Sequence, residues 1–204
     1  MRILTEYEAE HFLEQEGFPI VNRTLCKNEK ETLSALKKYD RVVLKLASQE
    51  LLHKTERGAV KINVTEKNFH SQYKELINIK VKQQGVIVQE YVEGMYFLLG
   101  IKKETVFGHV LLFGLGGIYT EAFKDVTMRI LPIEKKEIKT MINELQASQI
   151  FHSREKLNVA LLEKVLFQLS KLVEKYPNIQ ELDINPLILN KEEATIVDAR
   201  IVFD

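Results

Sequence analysis

Glu181-Leu182-Asp183-Ile184-Asn185-Pro186 and Ile196-Val197-Asp198-Ala199-Arg200 flank the polar segment Asn190-Lys191-Glu192-Glu193, and this stretch is the most informative in the chain. The polar segment has the length of a hairpin loop. A hairpin symmetric about it sets Asn185 opposite Asp198 and Asp183 opposite Arg200. Alternation along a strand then sends these four side chains to one face and Ile184, Val197 and Ala199 to the other, where they can pack in a core. Pro186 holds Asn185 extended and removes one ladder donor. A carboxylate beside an amide oxygen suits a hard cation that keeps several waters and completes its shell with phosphate oxygens, as Mg²⁺ does with a nucleotide. The same side chains also make an ordinary surface arrangement, an Asp183–Arg200 ion pair with a polar neighbour. The pattern alone leaves both readings open.

Outward from the hairpin, residues 157–176 have the apolar spacing of a long helix, and Ile138, Met141, Ile142 and Leu145 mark another. Strand-like runs at 95–101, 106–113 and 126–131 have connections short enough to favour antiparallel pairing. The first half opens with a helix in which Thr5 and Glu8 have capping-box spacing, Ala9, Phe12 and Leu13 form a stripe, and Gly17 is the stop. Asn28 and Glu31 start a second helix, and Phe69, Tyr73, Leu76 and Ile77 mark a third. Residues 41–47 and 85–89 read as buried strands. Between them Val60, Ile62 and Val64 alternate with Lys61 and Asn63, which predicts one apolar and one polar face. This reads as an α/β chain of two α+β lobes meeting near residues 89–94.

Composition narrows the function. Among 204 residues, 29 basic and 29 acidic side chains cancel, which argues against wrapping a polyanion such as nucleic acid. At 45% hydrophobic and 28% charged, the chain has the make-up of a globular domain rather than of a disordered segment or coiled coil. A single cysteine, Cys26, makes neither an internal disulfide nor a cysteine zinc site. Met1-Arg2-Ile3-Leu4-Thr5-Glu6 lacks the apolar run of a signal peptide, and no stretch approaches the roughly 20 apolar residues that span a bilayer. The expectation is a cytoplasmic protein with no membrane or nucleic-acid partner.

Three further features carry chemistry. Lys45 interrupts the apolar run Val42-Val43-Leu44 and Leu46, where a lysine either snorkels to an edge or holds an anion. His53-Lys54-Thr55-Glu56-Arg57-Gly58 reads equally as a cationic loop folding over phosphates and as a solvated turn. Phe113-Gly114-Leu115-Gly116-Gly117 offers exposed N–H groups and close backbone approach, but also fits a structural tight turn. It is neither a Walker A motif nor a dinucleotide fingerprint.

In chain order, Gly17-Phe18-Pro19, Val42-Val43-Leu44-Lys45, His53-Lys54-Thr55-Glu56-Arg57-Gly58 and Val88-Gln89-Glu90-Tyr91-Val92 come first. Then follow Phe113-Gly114-Leu115-Gly116-Gly117, Asp125-Val126-Thr127-Met128-Arg129, the Asp183-Ile184-Asn185-Pro186 strand and Val197-Asp198-Ala199-Arg200. From about Leu4 to Val202 this succession resembles the ATP-grasp β subunit of ADP-forming acyl-CoA (acetyl-CoA) synthetases, relatives of the succinyl-CoA synthetase β subunit.

The resemblance implies one ATP-grasp domain over 1–204 whose two subdomains clasp ADP or ATP, the smaller lobe covering about 20–90 and the larger 1–19 plus 91–204. It places Gln89, Glu90, Tyr91 and Val92 in the hinge at the adenine, with Glu93 beside them. It makes Lys45 the lysine that neutralises nucleotide phosphates, and Lys54, Gly116, Gly117 and Arg129 further phosphate contacts. Asn185 and Asp198 become the Mg²⁺ ligands, with Asp183 beside them. The implied reaction is acyl-CoA + ADP + phosphate giving acid + CoA + ATP, shared with a CoA-binding α subunit that carries a phosphohistidine. His53 matches a position that either relays the phosphoryl group or contacts it. The sequence departs from the family pattern at Tyr96, where a glutamate is usual, at Gly58-Ala59 and at Glu104-Thr105. Those departures keep a non-catalytic nucleotide-binding subunit in view. Another ATP-grasp carboxylate ligase is the second alternative.

Overall fold

The computed structural model describes residues 1–48, 57–117, 125–152 and 157–204. The first half runs β1 (Arg2–Ile3), α1 (Glu6–Gln15), β2 (Arg23–Cys26), α2 (Glu29–Leu36), β3 (Val42–Ala47), β4 (Val60–Val64), α3 (Phe69–Ile77) and β5 (Gly85–Glu90). The second runs β6 (Met95–Glu104), β7 (Gly108–Leu115), β8 (Val126–Ile130), α4 (Lys135–Glu144), α5 (Val159–Lys175), β9 (Ile179–Leu189), β10 (Ala194–Ile196) and β11 (Ala199–Phe203). The chain divides into two compact units, one of Met1–Ile20 with Glu93–Asp204 and one of Val21–Val92. Among the described residues, no helix is long and apolar enough to cross a membrane.

The larger unit is built on an antiparallel sheet in the order β1-β11-β9-β6-β7-β8, with β10 also paired to β9. Phe97, Leu99 and Ile101 on β6 and Leu111 and Phe113 on β7 point to one face. There they pack with Ala9 and Leu13 of α1, Ile138 and Met141 of α4, and Leu162, Leu166 and Leu169 of α5. The start of α1 follows from its first residues: Thr5 Oγ1 accepts the N–H of Glu8, and Glu8 returns a carboxylate oxygen to the Thr5 N–H at 2.8 Å. Gly17, at φ +81°, takes the left-handed conformation that ends the helix.

The smaller unit has a four-stranded antiparallel sheet, β2-β5-β3-β4. Ala35 and Leu36 of α2 and Phe69, Tyr73 and Leu76 of α3 pack with Val42, Leu44, Leu46, Val86 and Val88. Asn28 caps α2 by accepting the Glu31 N–H at 3.0 Å.

Three expectations need correction. The predicted two-faced alternation of Val60, Ile62 and Val64 fails, because β4 carries an extra residue. Val42 pairs with Val64 but Leu44 pairs with Lys61, and Asn63 takes φ 63° within the bulge. The bulge resets the phase, so Ile62 is 56% exposed while Lys61 turns to the α3 side and meets Glu75 at 2.6 Å. Secondly, β7 starts at Gly108 rather than at residue 106, leaving Val106 and Phe107 exposed at the hairpin tip.

The third correction concerns the β9 hairpin. Its register is as expected, with Asp183 opposite Arg200 and Ile184 opposite Ala199, but Val197 is not a core residue. Ile184 and Leu187 on β9, and Ile196 and Ala199 opposite them, are all in the core, so both strands change phase together at Asn185–Pro186 and Val197–Asp198. The pairing of β6 shows the same extra residue in β9, since Phe97 faces Leu187 but Leu99 faces Ile184.

Candidate functional site

In the larger unit, the phase change creates the site. The Asn185 N–H donates to the Asp198 carbonyl at 3.2 Å, and the Val197 N–H donates to the Pro186 carbonyl at 3.2 Å. With Ile184 and Ala199 directed into the core, Asn185 and Asp198 lie on the face away from the helices, one exposed and the other half-buried. Asp183 lies two residues along that face. Burial pushes its carboxyl up to about 6, the like charge of Glu181 adds to the rise, and Arg200 opposes it. The simple Asp183–Arg200 ion pair is not what forms, since the Arg200 guanidinium meets Glu181 at 3.7 Å.

Among the described residues, no cluster of three or more His, Cys, Asp or Glu could hold a metal by itself. One carboxylate and one amide oxygen are too few for a protein cage, and they suit a Mg²⁺ ion that brings phosphate and water oxygens with it. The donor set therefore fits Mg²⁺ as a companion of a nucleotide and not as a resident structural ion.

Arg129, expected at phosphate, is on the opposite side of the same sheet. It pairs with Leu111 across β7, and its guanidinium meets Glu144 of α4 at 2.7 Å. Gly116 is also accounted for by packing: its N–H donates to the Tyr96 carbonyl at 2.8 Å, and a Cβ there would lie 2.8 Å from the Phe97 carbonyl carbon. Gly117, at φ +66°, sits against the Tyr96 ring.

In the smaller unit, Lys45 is in the middle of β3, opposite Ile87 of β5 and Val60 of β4, and only 5% exposed. Gln89, opposite both Val43 and Arg23, is buried on the same face. That face is the one away from α2 and α3, since Leu44 and Val88 take the helix side. Lys45 is therefore buried beside Ile87, Val60 and Gln89 rather than reaching out to an edge.

Residues 90–93 are held from both sides of the chain. Asn22 grips Glu90 twice, through its carbonyl to the Glu90 N–H at 3.0 Å and its amide to the carboxylate at 2.8 Å. The Arg41 guanidinium lies 4.6 Å over the Tyr91 ring, and the Arg41 carbonyl accepts the Tyr91 N–H. Val92 follows half-buried, and the Asn190 amide donates to the Glu93 carbonyl at 3.0 Å. Asn22, Arg41 and Asn190 escaped the sequence reading because each is a lone polar residue distant in sequence from what it holds. The one local signal was their position at strand ends. His53 and Lys54 lie outside the described residues.

Known proteins resemble this chain in sequence and fold. A 4-hydroxybutyrate–CoA ligase (ADP-forming) of Nitrosopumilus maritimus is 34% identical over 97% of this chain, which spans 30% of that protein. The β subunit of acetate–CoA ligase (ADP-forming) II of Pyrococcus furiosus is 32% identical over 98% of this chain and 91% of its own length. The chain thus spans less than a third of the first curated relatives it matches, and nearly all of a relative named as a subunit. An acetyl-coenzyme A synthetase 1 from Ca. Korarchaeum cryptofilum, solved with coenzyme A and Ca-AMPCP, superposes with a TM-score of 0.92 at 29% identity, covering 100% of this chain and 94% of that one. The sequence profile of the ATP-grasp domain runs from residue 1 to residue 203, through both sheets and every residue of the phase-changed rung, and the chain belongs to the ATP-grasp domain family.

Proposed function

We propose that this chain is the nucleotide-binding β subunit of an ADP-forming acyl-CoA synthetase, catalysing with a CoA-binding α subunit the reaction acyl-CoA + ADP + phosphate = acid + CoA + ATP. The observation that carries the reading is the Asn185–Asp198 rung, a carboxylate and an amide oxygen presented on the helix-free face of the larger sheet. Phosphoryl transfer asks a protein for alignment and charge neutralisation more than for covalent help. In this reading Asn185 and Asp198 hold Mg²⁺, which neutralises phosphate charge. Lys45 balances further phosphate charge with an ammonium already removed from water, where each charge counts for more. With the Gly116 N–H engaged by Tyr96, the phosphate role proposed for the glycine pair falls on Gly117.

The group transferred comes from a phosphohistidine of the α subunit. Its N–P bond breaks as a terminal oxygen of ADP forms the new O–P bond, and the released ring takes up one proton from solvent, leaving a neutral imidazole and ATP. Gln89, Glu90, Tyr91, Val92 and Glu93 are assigned to the adenine, positioned by Asn22, Arg41 and Asn190. His53 and Lys54 are assigned to the travelling phosphate. A place in the cytoplasm accords with a reaction that consumes and makes adenine nucleotides.

The test is a melting-temperature titration of the chain with ADP in Mg²⁺ and in EDTA. A shift that needs both ADP and Mg²⁺ is expected. No shift with any adenine nucleotide would overturn the reading.

A further inference from the structure

Two arginines of the larger unit are spent differently. The guanidinium of Arg129, on the helix side of the sheet, donates to the Glu144 carboxylate at 2.7 Å and to the Met128 carbonyl at 2.8 Å. Arg200 of β11 lies on the helix-free face with Asn185 and Asp198, since Ala199 between Asp198 and Arg200 is directed into the core. Among the described residues, its guanidinium makes no hydrogen bond, and its Nε–H is buried without an acceptor.

The charges around Arg200 leave it available. Asp183 is opposite it on β9 but does not pair with it. The Glu181 carboxylate is 3.7 Å from one terminal nitrogen, longer than a hydrogen bond. Those two side chains are 42% and 45% exposed, so water screens the pair and it adds little to stability. Lys102, opposite Glu181 on β6, turns instead to Glu104 at 3.0 Å.

A buried donor without an acceptor costs free energy, so Arg200 is not explained by what it does for the fold. What its planar fork of N–H groups matches is a pair of oxygens on one phosphate group. Two residues of strand, roughly 7 Å, separate it from Asp198. An arginine side chain laid along the strand spans that interval, and so reaches a phosphate held through Mg²⁺ at the Asn185–Asp198 rung.

We infer that Arg200 is a catalytic residue of the phosphoryl transfer, donating N–H groups to the non-bridging oxygens of the phosphoryl group as it passes from the α-subunit phosphohistidine to ADP. The inference rests on the proposed function. Transfer goes through a loose transition state whose charge is spread over the equatorial oxygens, and a second cation beside Mg²⁺ stabilises it. The N–P bond breaks and the O–P bond to ADP forms while Arg200 remains a guanidinium throughout, giving up no proton. It touches the group in passage rather than ADP itself, so its loss falls on the terminal phosphate of ATP.

The experiment is calorimetry of the full chain with Mg²⁺–ADP and with the Mg²⁺ complex of β,γ-imido-ATP, for wild type, Arg200→Gln, Arg200→Lys and Glu181→Gln. Arg200→Gln should weaken the ATP analogue by about tenfold or more and ADP by less than about twofold, the scale of one charge-assisted contact. Arg200→Lys, which keeps the charge and loses the fork, should fall between, and Glu181→Gln should bind both as wild type does. Mixed with the cognate α subunit, Arg200→Gln should form ATP about a hundredfold more slowly at an unchanged KM for ADP. Equal weakening of ADP and the analogue, or wild-type binding and turnover by Arg200→Gln, would overturn the assignment and leave nucleotide binding intact. Loss of analogue binding in Glu181→Gln would also overturn it, making Arg200 half of a structural pair. A wild-type chain that binds neither nucleotide would overturn the proposed function, and the role of Arg200 with it.

Discussion

The N–H of Asn185 donates to the carbonyl of Asp198 at 3.2 Å, on a rung whose flanking residues Ile184 and Ala199 are both buried in the core. This backbone link fixes the spacing of the two side chains before any ligand arrives. Replacing Asp198 by alanine should therefore leave the unliganded fold intact. It should remove about 2–4 kcal/mol of Mg²⁺-dependent ADP affinity, the scale of losing one charged ligand. Calorimetry with ADP in Mg²⁺ and in EDTA checks this, and an Asp198→Ala chain that keeps the full difference between the two conditions would remove the metal assignment.

Lys45→Met tests the buried ammonium. Methionine matches the lysine stem in length and suits a strand position between Ile87 and Val60. The expected outcome is an unliganded melting temperature at or above that of wild type, with most of the ADP-induced shift gone. An intact shift would make Lys45 a structural residue.

Asp183 predicts a pH dependence of stability. Its folded pKa of about 6 exceeds the unfolded value of 3.8, so between those limits the folded chain binds more protons than the unfolded one. Stability from this group is present in full below the unfolded pKa and declines as pH rises toward 6. Asp183→Asn should flatten that slope in urea denaturation and raise stability at pH 7 by up to about 3 kcal/mol. Mg²⁺–ADP binding, by placing a cation nearby, should release protons around pH 6 in wild type and not in the variant.

At the other end of the larger unit, Glu16 behaves oppositely. Hydrogen bonds from Lys175 and the Tyr176 hydroxyl, each 2.7 Å at the closest, hold its carboxyl below the usual value of 4.5. That link between the ends of α1 and α5 is present above pH 4.5 and is lost as pH falls through the lowered folded pKa. Tyr176→Phe should cost about 1–2 kcal/mol at pH 7 and lessen the acid sensitivity. Denaturation at pH 7 and pH 3 separates the two contributions.

Much of this was legible in the residues. Thr5 with Glu8 and Asn28 with Glu31 announce their helices because capping chemistry is local. The β9 hairpin register could be read because its loop fixes which residues meet. The bulges could not: whether β4 and β9 each insert a residue depends on the partner strands β3 and β6, which are distant in sequence. For that reason the alternation of Val60, Ile62 and Val64 misled, and Val197 was assigned to the wrong layer. Arg129 misled differently, since motif position says nothing about which sheet face a strand residue takes, and Glu144 claims it from a helix that follows.

The simultaneous change of phase in β9 and its partner has a consequence for how this hairpin can evolve. Had β9 alone slipped, every residue beyond Asn185 would have exchanged core for solvent relative to the strand beside it. Because both strands slip at one rung, Ile184, Leu187, Ile196 and Ala199 all keep their places in the interior. A lineage that exchanged the proposed donor pair for another would meet the same buried frame on either side of it, with the two positions still set opposite each other on one rung.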